Sequence, residues 1–294
     1  MLPTGTSIDW ASVEIAVPRA IRPLPGISMA GFCQRVPAVV DLAMVAHPDV
    51  TLLVDLSRGN ALGYDVGGRR EYGSVVVGLH PGEFRATGQG TGECLQIRLE
   101  PVVAAAVFGA SAELGGAVVS LDDVWGRDAG RLEARLRATA SWDERFAIAV
   151  EMLGRRLGAR PTVEPEVVHA WRRTLASRGR ARVDGLAEEV GWSRKRLWTR
   201  FRSRLGIGPK EAARLVRFDH AAHLLVAGHT AASVAVESGY VDQSHLHREV
   251  RAFAGLTPAA VAAAPWLAID DIAWPAASRA RLSARRGERI PAPR

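Results

Sequence analysis

Hydrophobic and polar positions follow two different periods along the chain. Between residues 10 and 100 the apolar runs are short, as in Val50–Leu56 (VTLLVDL) and Ser74–Leu79 (SVVVGL), and Gly, Pro and Asn clusters separate them. Leu95, Ile97 and Leu99 alternate with Gln96, Arg98 and Glu100, the period of two of a half-buried strand. Several short strands with glycine turns predict a small barrel or sandwich. After Pro101 the texture becomes helical. Pro101 suits a first helical turn and leads into VVAAAVF. Arg131–Thr139 reads as a helix. Ser141 and Glu144 form a capping box for a further helix reaching about Leu157, with Phe146, Val150 and Leu153 on one side. Residues 101–158 are thus a helical appendage to a β-rich part. The stretch Gly158–Pro165 has two prolines and no apolar period, and it predicts a linker.

From Glu166 to Ala264 nearly everything reads as helix, and one pattern occurs twice. The first copy is LAEEVGWS (186–193), then Arg194–Leu205, then Gly206-Ile207-Gly208-Pro209. The second is VAVESGY (234–240), then Val241-Asp242, Gln243–Ala254 and Gly255-Leu256-Thr257-Pro258. Each copy is a short helix ending at a glycine, an aromatic, a residue able to cap, and a longer amphipathic helix. Gly191 and Gly239 sit where a left-handed helix terminus is needed. Two helices joined by such a turn make a helix-turn-helix. On a helical wheel, Leu246, Val250 and Phe253 share one face of the second long helix. Ser244, Arg248 and Arg251 lie opposite, with His247 at the edge. In the first, Leu197, Phe201 and Leu205 form the stripe. Lys195, Thr199, Arg202 and Ser203 lie opposite, with Arg196 alongside. Pro209–Val226, between the copies, is long enough at 1.5 Å per residue to span ~27 Å. One turn of DNA is ~34 Å.

Charge sharpens this picture. The 294 residues carry a net +7. Residues 1–160 hold −2 of it, 161–264 hold +6 and 265–294 hold +3. An anionic partner is therefore expected for the second half only. Ser193–Arg204 contains six basic residues, Arg194, Lys195, Arg196, Arg200, Arg202 and Arg204, and no acidic one. An unmixed basic face with hydrogen-bonding side chains suits a major groove, where Arg or Lys reads guanine and positive charge meets phosphate. The chain divides by this reading into 1–160, 161–264 and a basic tail, 265–294, whose Arg279, Arg281, Arg285, Arg286 and Arg289 belong to a short helix that adds to DNA affinity or to a disordered end.

Several classes are excluded. Two cysteines, Cys33 and Cys94, supply neither a disulfide framework nor a four-ligand zinc site, and they read as small core residues. No run of 18 apolar residues exists, and the first 20 residues lack a signal-peptide pattern, so a cytoplasmic protein is expected. His245 and His247 project ~200° apart on a helix and do not share an ion. His220 and His223 share a face without further ligands. His80-Pro81-Gly82-Glu83 lacks a second histidine nearby. No nucleophile elbow, P-loop or dinucleotide fingerprint occurs, and Gly67-Gly68 and Gly88–Gly92 read as hairpin turns. Neither a metal, a cofactor nor an enzymatic activity is expected.

LAEEVGWSRKRLWTRFRSRLGIGP, RLVRFDHAAHLL and VAVESGYVDQSHLHREVRAFAGLTP together resemble the DNA-binding domain of AraC/XylS-type transcription regulators, over about one third of the chain. Gly239-Tyr240-x-Asp242-Gln243-Ser244-His245-Leu246-x-Arg248 is the most specific part. The first 160 residues resemble, more weakly, the sensory domains of that family. The resemblance implies an α+β chain: a cupin-like barrel with helices, then a seven-helix domain with two helix-turn-helix units on a linker helix. It implies base reading by Lys195, Trp198 and Thr199 in the first unit and by Gln243, Ser244, His247 and Arg248 in the second. Arg202 lies near phosphate, and Arg194, Arg196 and Arg251 join it from the basic faces. Trp198 is bulky for a reading position. Contact with thymine methyls or sugars and packing into the core both stand open for it, while Trp192 and Tyr240 are read as core. The implied partners are promoter DNA, a small-molecule effector, a second copy through residues 131–157, and RNA polymerase if the protein activates. A barrel enzyme with a DNA-binding tail and a sequence-indifferent architectural binder are the competing readings.

Overall fold

The computed structural model describes residues 12–19, 24–57, 62–80, 82–109, 114–159, 163–264 and 270–274. The extreme N-terminus and the arginines of the basic tail lie outside the described residues, as do residues 160–162 of the expected linker. Among the described residues eight strands form one antiparallel sheet: β1 (Val13–Ala16), β2 (Ile27–Met44), β3 (Val50–Asp55), β4 (Gly63–Val66), β5 (Arg69–Tyr72), β6 (Val75–Val77), β7 (Phe84–Leu99) and β8 (Val118–Ser120). The main path runs β1-β2-β7-β3-β6-β8, and β4 joins β7 to β5. β2 and β7 are the long members. They pair from Ile27↔Leu99 to Met44↔Phe84, with a register shift between Gln34 and Ala38. One half of β7 pairs with β3 and the other with β4, so this single strand bends the sheet around an apolar interior.

The alternation in β7 has a meaning that the sequence alone conceals. Leu95, Ile97 and Leu99 are fully buried against the helices, as the period of two predicts. Gln96 on the other face is buried too, at 6% exposure. That face turns inward rather than to water. The same holds for Val50–Asp55, which is buried throughout.

Helices α1 (Pro101–Phe108), α2 (Leu121–Trp125), α3 (Arg127–Arg137) and α4 (Trp142–Gly158) cover the outer apolar face. α3 starts four residues before the predicted position. Gly126, at φ 54°, closes α2 and opens α3 directly, with no room for a loop. Ser141 caps α4 by accepting from the Glu144 N–H. The reciprocal half of the expected capping box is absent, because the Glu144 carboxylate takes the Thr139 hydroxyl instead. Arg145, with its side chain 5% exposed, donates to Glu93 Oε1 at 2.5 Å and to the carbonyls of Leu136 and Thr139, joining α4 to β7 and the α3–α4 turn.

Seven helices follow: α5 (Pro165–Ala176), α6 (Val183–Glu189), α7 (Arg194–Leu205), α8 (Pro209–Val226), α9 (Ala231–Glu237), α10 (Gln243–Ala254) and α11 (Pro258–Ala262). A short α12 (Asp270–Ala273) lies beyond them. The bounds of α7, α8 and α10 are those expected from sequence. The apolar core does not stop at the expected boundary near residue 160. It is continuous from the sheet through Val107 and Phe108 of α1 to Phe201 and Leu205 of α7. A Cβ at Gly115 would lie 2.2 Å from the Gly206 carbonyl oxygen, so that contact requires glycine.

Two predictions follow from these contacts. Arg145→Ala leaves Glu93 without its partner and two carbonyls without a donor, and costs roughly 3 kcal/mol of unfolding free energy by denaturant titration. Glu189 accepts from Arg173 and His169, and these bonds lower its pKa from 4.5 to about 2. A depressed carboxylate pKa contributes stability above the unfolded value and loses it as pH falls through the folded one. Glu189→Gln therefore lowers the denaturation midpoint at pH 6, and the gap from the parent closes between pH 4.5 and 2. A gap that stays constant with pH contradicts the assignment.

Candidate nucleic-acid interface and adjoining cavity

Each helix-turn-helix unit is built by the same devices. α6 and α9 end at Gly191 (φ 66°) and Gly239 (φ 74°), the positive φ expected of both. Ser193 caps α7 by accepting from the Arg196 N–H at 3.2 Å. Asp242 caps α10 by accepting from the His245 N–H at 2.6 Å. Both long helices close on a left-handed glycine, Gly206 and Gly255. Their apolar stripes are buried: Leu197, Phe201 and Leu205 in α7, and Leu246, Val250 and Phe253 in α10.

The opposite faces are exposed. Lys195, Thr199, Gln243, Ser244, His247 and Arg248 all lie on the surface, as do Arg194, Arg196, Arg202 and Arg251. Trp198 is 49% exposed, so it is not a core residue. One edge of its indole rests beside Gly208, and the Arg202 guanidinium lies 5.4 Å from its ring centre. A Trp–Arg pair on the surface is held by a cation–π contact and leaves half the ring free. Of the two core assignments made for the turn aromatics, Tyr240 is buried, while Trp192 is only half-buried beneath the Arg196 guanidinium.

The basic run of α7 is less uniform than its sequence implies. Glu164 holds Arg204 in a two-pronged pair at 2.7 and 3.1 Å, and Arg200 lies 3.6 Å from the same carboxylate. The Glu164 pKa is lowered by the Arg204 hydrogen bond first, then by the charges of Arg204 and Arg200. Asp184 pairs with Arg194 at 3.1 Å. Among the described residues no carboxylate pairs with Lys195, Arg196 or Arg202, nor with Arg248 or Arg251 of α10. Positive charge is thereby concentrated on one side of each helix. Glu164 and Asp184 stand 10 or more residues from their partners, and only the fold reveals them.

α8 holds the two units together. Phe218 stacks on Phe253 with centroids 4.8 Å apart. Beside them Arg214 grips the buried Glu249 of α10 at 2.7 and 3.0 Å. This clamp was not anticipated from sequence, although Glu249 is the one acid inside the basic α10. The histidines carry no metal cluster among the described residues. His223 takes the Asp219 carbonyl at 2.8 Å, and buried His80 takes the Gly78 carbonyl at 3.1 Å. Burial pushes the His80 pKa below its usual value.

On the inward face of the sheet lies a cavity of about 170 Å³. Its apolar wall includes Leu42, Met44, Leu53 and Tyr64. Gln34, Asp55, Glu93, Gln96 and Arg98 supply polar groups, Asp219 and Ala222 come from α8, and Trp274 from the C-terminal segment. Burial pushes the Cys94 thiol and the Tyr64 hydroxyl well above their usual pKa values, so both are neutral. The expectation of order or disorder in the tail omitted this: Ala273 and Trp274 pack on Ala30, with Ile15, Val17 and Phe32 around them. A tryptophan beyond the last helix-turn-helix was the available signal.

No helix among the described residues is long and apolar enough to cross a membrane. A family model described as a helix-turn-helix domain matches residues 186–264. Among solved structures, ToxT from Vibrio cholerae O395 aligns over 83% of this chain and 98% of its own, with 12% identity and a TM-score of 0.46. The C-terminal domain of AraT, a response regulator from Geobacillus stearothermophilus, covers 34% of this chain and 86% of its own, with 21% identity and a TM-score of 0.33. The AraC-like transcriptional activator CuxR covers 69% and 84%, with 14% identity and a TM-score of 0.28. A comparison with curated proteins gave no match. Two capped, glycine-closed units lie within the matched residues, and they make residues 186–264 a helix-turn-helix domain.

Proposed function

We propose that α7 and α10 enter successive major grooves on one face of promoter DNA. The observation that carries this reading is the pairing of a fully buried apolar stripe with an exposed polar face on both helices. Lys195, Trp198 and Thr199 read bases in the first groove, and Gln243, Ser244, His247 and Arg248 read them in the second. Arg248 is suited to guanine, Gln243 to adenine, and the half-exposed ring of Trp198 to thymine methyls. Arg196, Arg202 and Arg251 contact phosphate, where positive charge supplies most of the affinity. Arg194 does so after exchanging Asp184 for the DNA backbone.

The division of labour follows residues 1–160 for regulation, 161–264 for DNA and 265–294 as an appended tail. The cavity of the sheet holds a small-molecule effector: it is mostly apolar and furnished with a few polar groups. Because α8 lends Asp219 and Ala222 to its wall, an occupant touches the helix that carries both units. The exposed sides of α3 and α4, residues 131–157, pair two copies. The protein acts in the cytoplasm, and as an activator it meets RNA polymerase.

Selection of bound sites from random DNA tests the reading, and an enriched motif with two parts about one helical turn apart is expected. Recovery of no motif overturns it in favour of sequence-indifferent binding. Arg248→Ala relaxes the base preference at one position and costs ~1–3 kcal/mol on the selected site. An unchanged preference refutes that assignment. Arg202→Ala weakens selected and random DNA alike and flattens the dependence of log K on log salt by about one charge.

A further inference from the structure

The cavity has a wall that the barrel does not make. Trp274 is 2% exposed and lines it. The Arg98 guanidinium lies 4.1 Å from the centre of the Trp274 ring. Arg98 sits on the inward face of β7, two residues from Gln96. That face is polar by sequence, and Trp274 is what covers part of it. α12 brings the indole there by packing against β1, and Ala273 seats on Ala30. Apart from Val17, which directly follows β1, every residue of this patch outside the C-terminal segment belongs to the sheet. The segment itself comes from beyond α11, the last helix of the DNA-binding domain.

The polar groups inside indicate what the space receives. Gln96 is buried, and its Nε2 has no hydrogen-bond partner among the described residues. Gln34 likewise leaves Oε1 buried without a partner, while its Nε2 donates to Ser12. A buried amide left unmatched costs free energy that a ligand bearing a hydrogen-bonding group recovers. The charged groups argue against a charged ligand. Asp55, Glu93 and Asp219 line the wall and oppose an anion. Arg145 is paired with Glu93, and the Arg98 guanidinium lies over the Trp274 ring. For a cation, the Glu93 carboxylate is already neutralised by Arg145, Asp55 Oδ1 accepts the Ser57 N–H at 2.9 Å, and Asp219 lies 3.7 Å from His223. A dry cavity of ~150 Å³ accommodates one benzene ring, so this one, at about 170 Å³, suits a molecule of one or two rings.

We propose that the cavity binds a small, uncharged, ring-sized molecule whose single hydrogen-bonding group pairs with Gln96, and that Trp274, stacked on Arg98, is a wall of that site. This deepens the effector reading above and rests on it for the regulatory role. The C-terminal segment is then part of the ligand site, and the tail following the DNA-binding domain is joined to the occupancy of the sheet.

Titration calorimetry of the full chain tests this with three probes of one size: 2-naphthol, 2-naphthoate and 2-naphthylmethylammonium, at pH 7. Binding of 2-naphthol at least tenfold more tightly than either ion is expected. Gln96→Leu weakens 2-naphthol by about tenfold, the loss of one buried hydrogen bond. Trp274→Ala weakens it further, whereas Trp274→Phe, which keeps a ring over Arg98, retains most of the affinity. Preference for either ion, or binding of none of the three, overturns the assigned ligand class. Unchanged affinity in Trp274→Ala overturns the wall. If Trp274→Ala does not fold, a chain ending at Ala264 serves in its place. The effector reading fails separately: 2-naphthol that binds as described but leaves affinity for the selected DNA unchanged refutes the regulatory role and leaves the site standing.

Discussion

The spacing of two recognition helices on DNA depends on how firmly each is joined to the helix between them. In this chain α10 is held to α8 by the stacked rings of Phe218 and Phe253, with the Arg214–Glu249 pair beside them. The two contacts differ in kind. The rings supply burial and tolerate small shifts. The two-pronged ion pair is directional, and with Glu249 buried its rupture leaves a charge with no water to solvate it. α7 is held differently, by Leu197, Phe201 and Leu205 in the core and by Glu164 gripping Arg204 at its C-terminal end. The proposed reading of two grooves presupposes these joints, because an exposed polar face reads a groove only if it stays in register with its twin.

The same joints explain why part of the basic face is spent on structure. Arg204 and Arg200 meet Glu164, and Arg194 meets Asp184, so three of the six basic residues in that run carry an acidic neighbour. Among the described residues, Lys195, Arg196 and Arg202 have no acidic neighbour, and they are the ones proposed above for DNA. Two of them lie over tryptophans, Arg196 on Trp192 and Arg202 on Trp198. A guanidinium resting on a ring keeps its N–H groups pointing outward at small entropic cost. Trp192 packs against the core with one side of its ring and carries Arg196 on the other, whereas Trp198 is half exposed under Arg202.

What was legible in the sequence is what depends on local period and caps. The limits of α7, α8 and α10 followed from apolar spacing, from Ser193, Asp242 and Pro209, and from the glycines at 191, 206, 239 and 255. The exposed faces followed from the same wheel. Less legible was everything set by distant pairing. Glu164 and Arg204 are 40 residues apart, Arg214 and Glu249 35, and Arg145 and Glu93 52. No pattern of neighbours encodes such a pair. Trp198 lay at the edge of the apolar stripe on the wheel, and only the approach of Gly208 and Arg202 decided that it stays half outside. The linker near residue 160 was inferred from composition, yet the apolar core passes from α1 to α7 regardless, because composition reports the chain's local texture and not what packs across it.

β7 shows how a correct local reading acquires a different meaning in three dimensions. Alternation of Leu95, Ile97 and Leu99 with Gln96 and Arg98 predicts a strand with one wet face, and the strand is there. Its polar face is not wet: it lines the cavity, and Trp274 covers Arg98. A polar residue on the inside of a curled sheet and one on its outside leave the same trace in a sequence. The distinction matters because α8 meets this inner face with Asp219 and Ala222, while its neighbouring Phe218 is buried against Phe253 of α10. Successive residues of one helix therefore face a cavity in the sheet and a recognition helix. Asp219 and Phe218 are consecutive on α8, so the cavity wall and the α8–α10 contact share one stretch of helix.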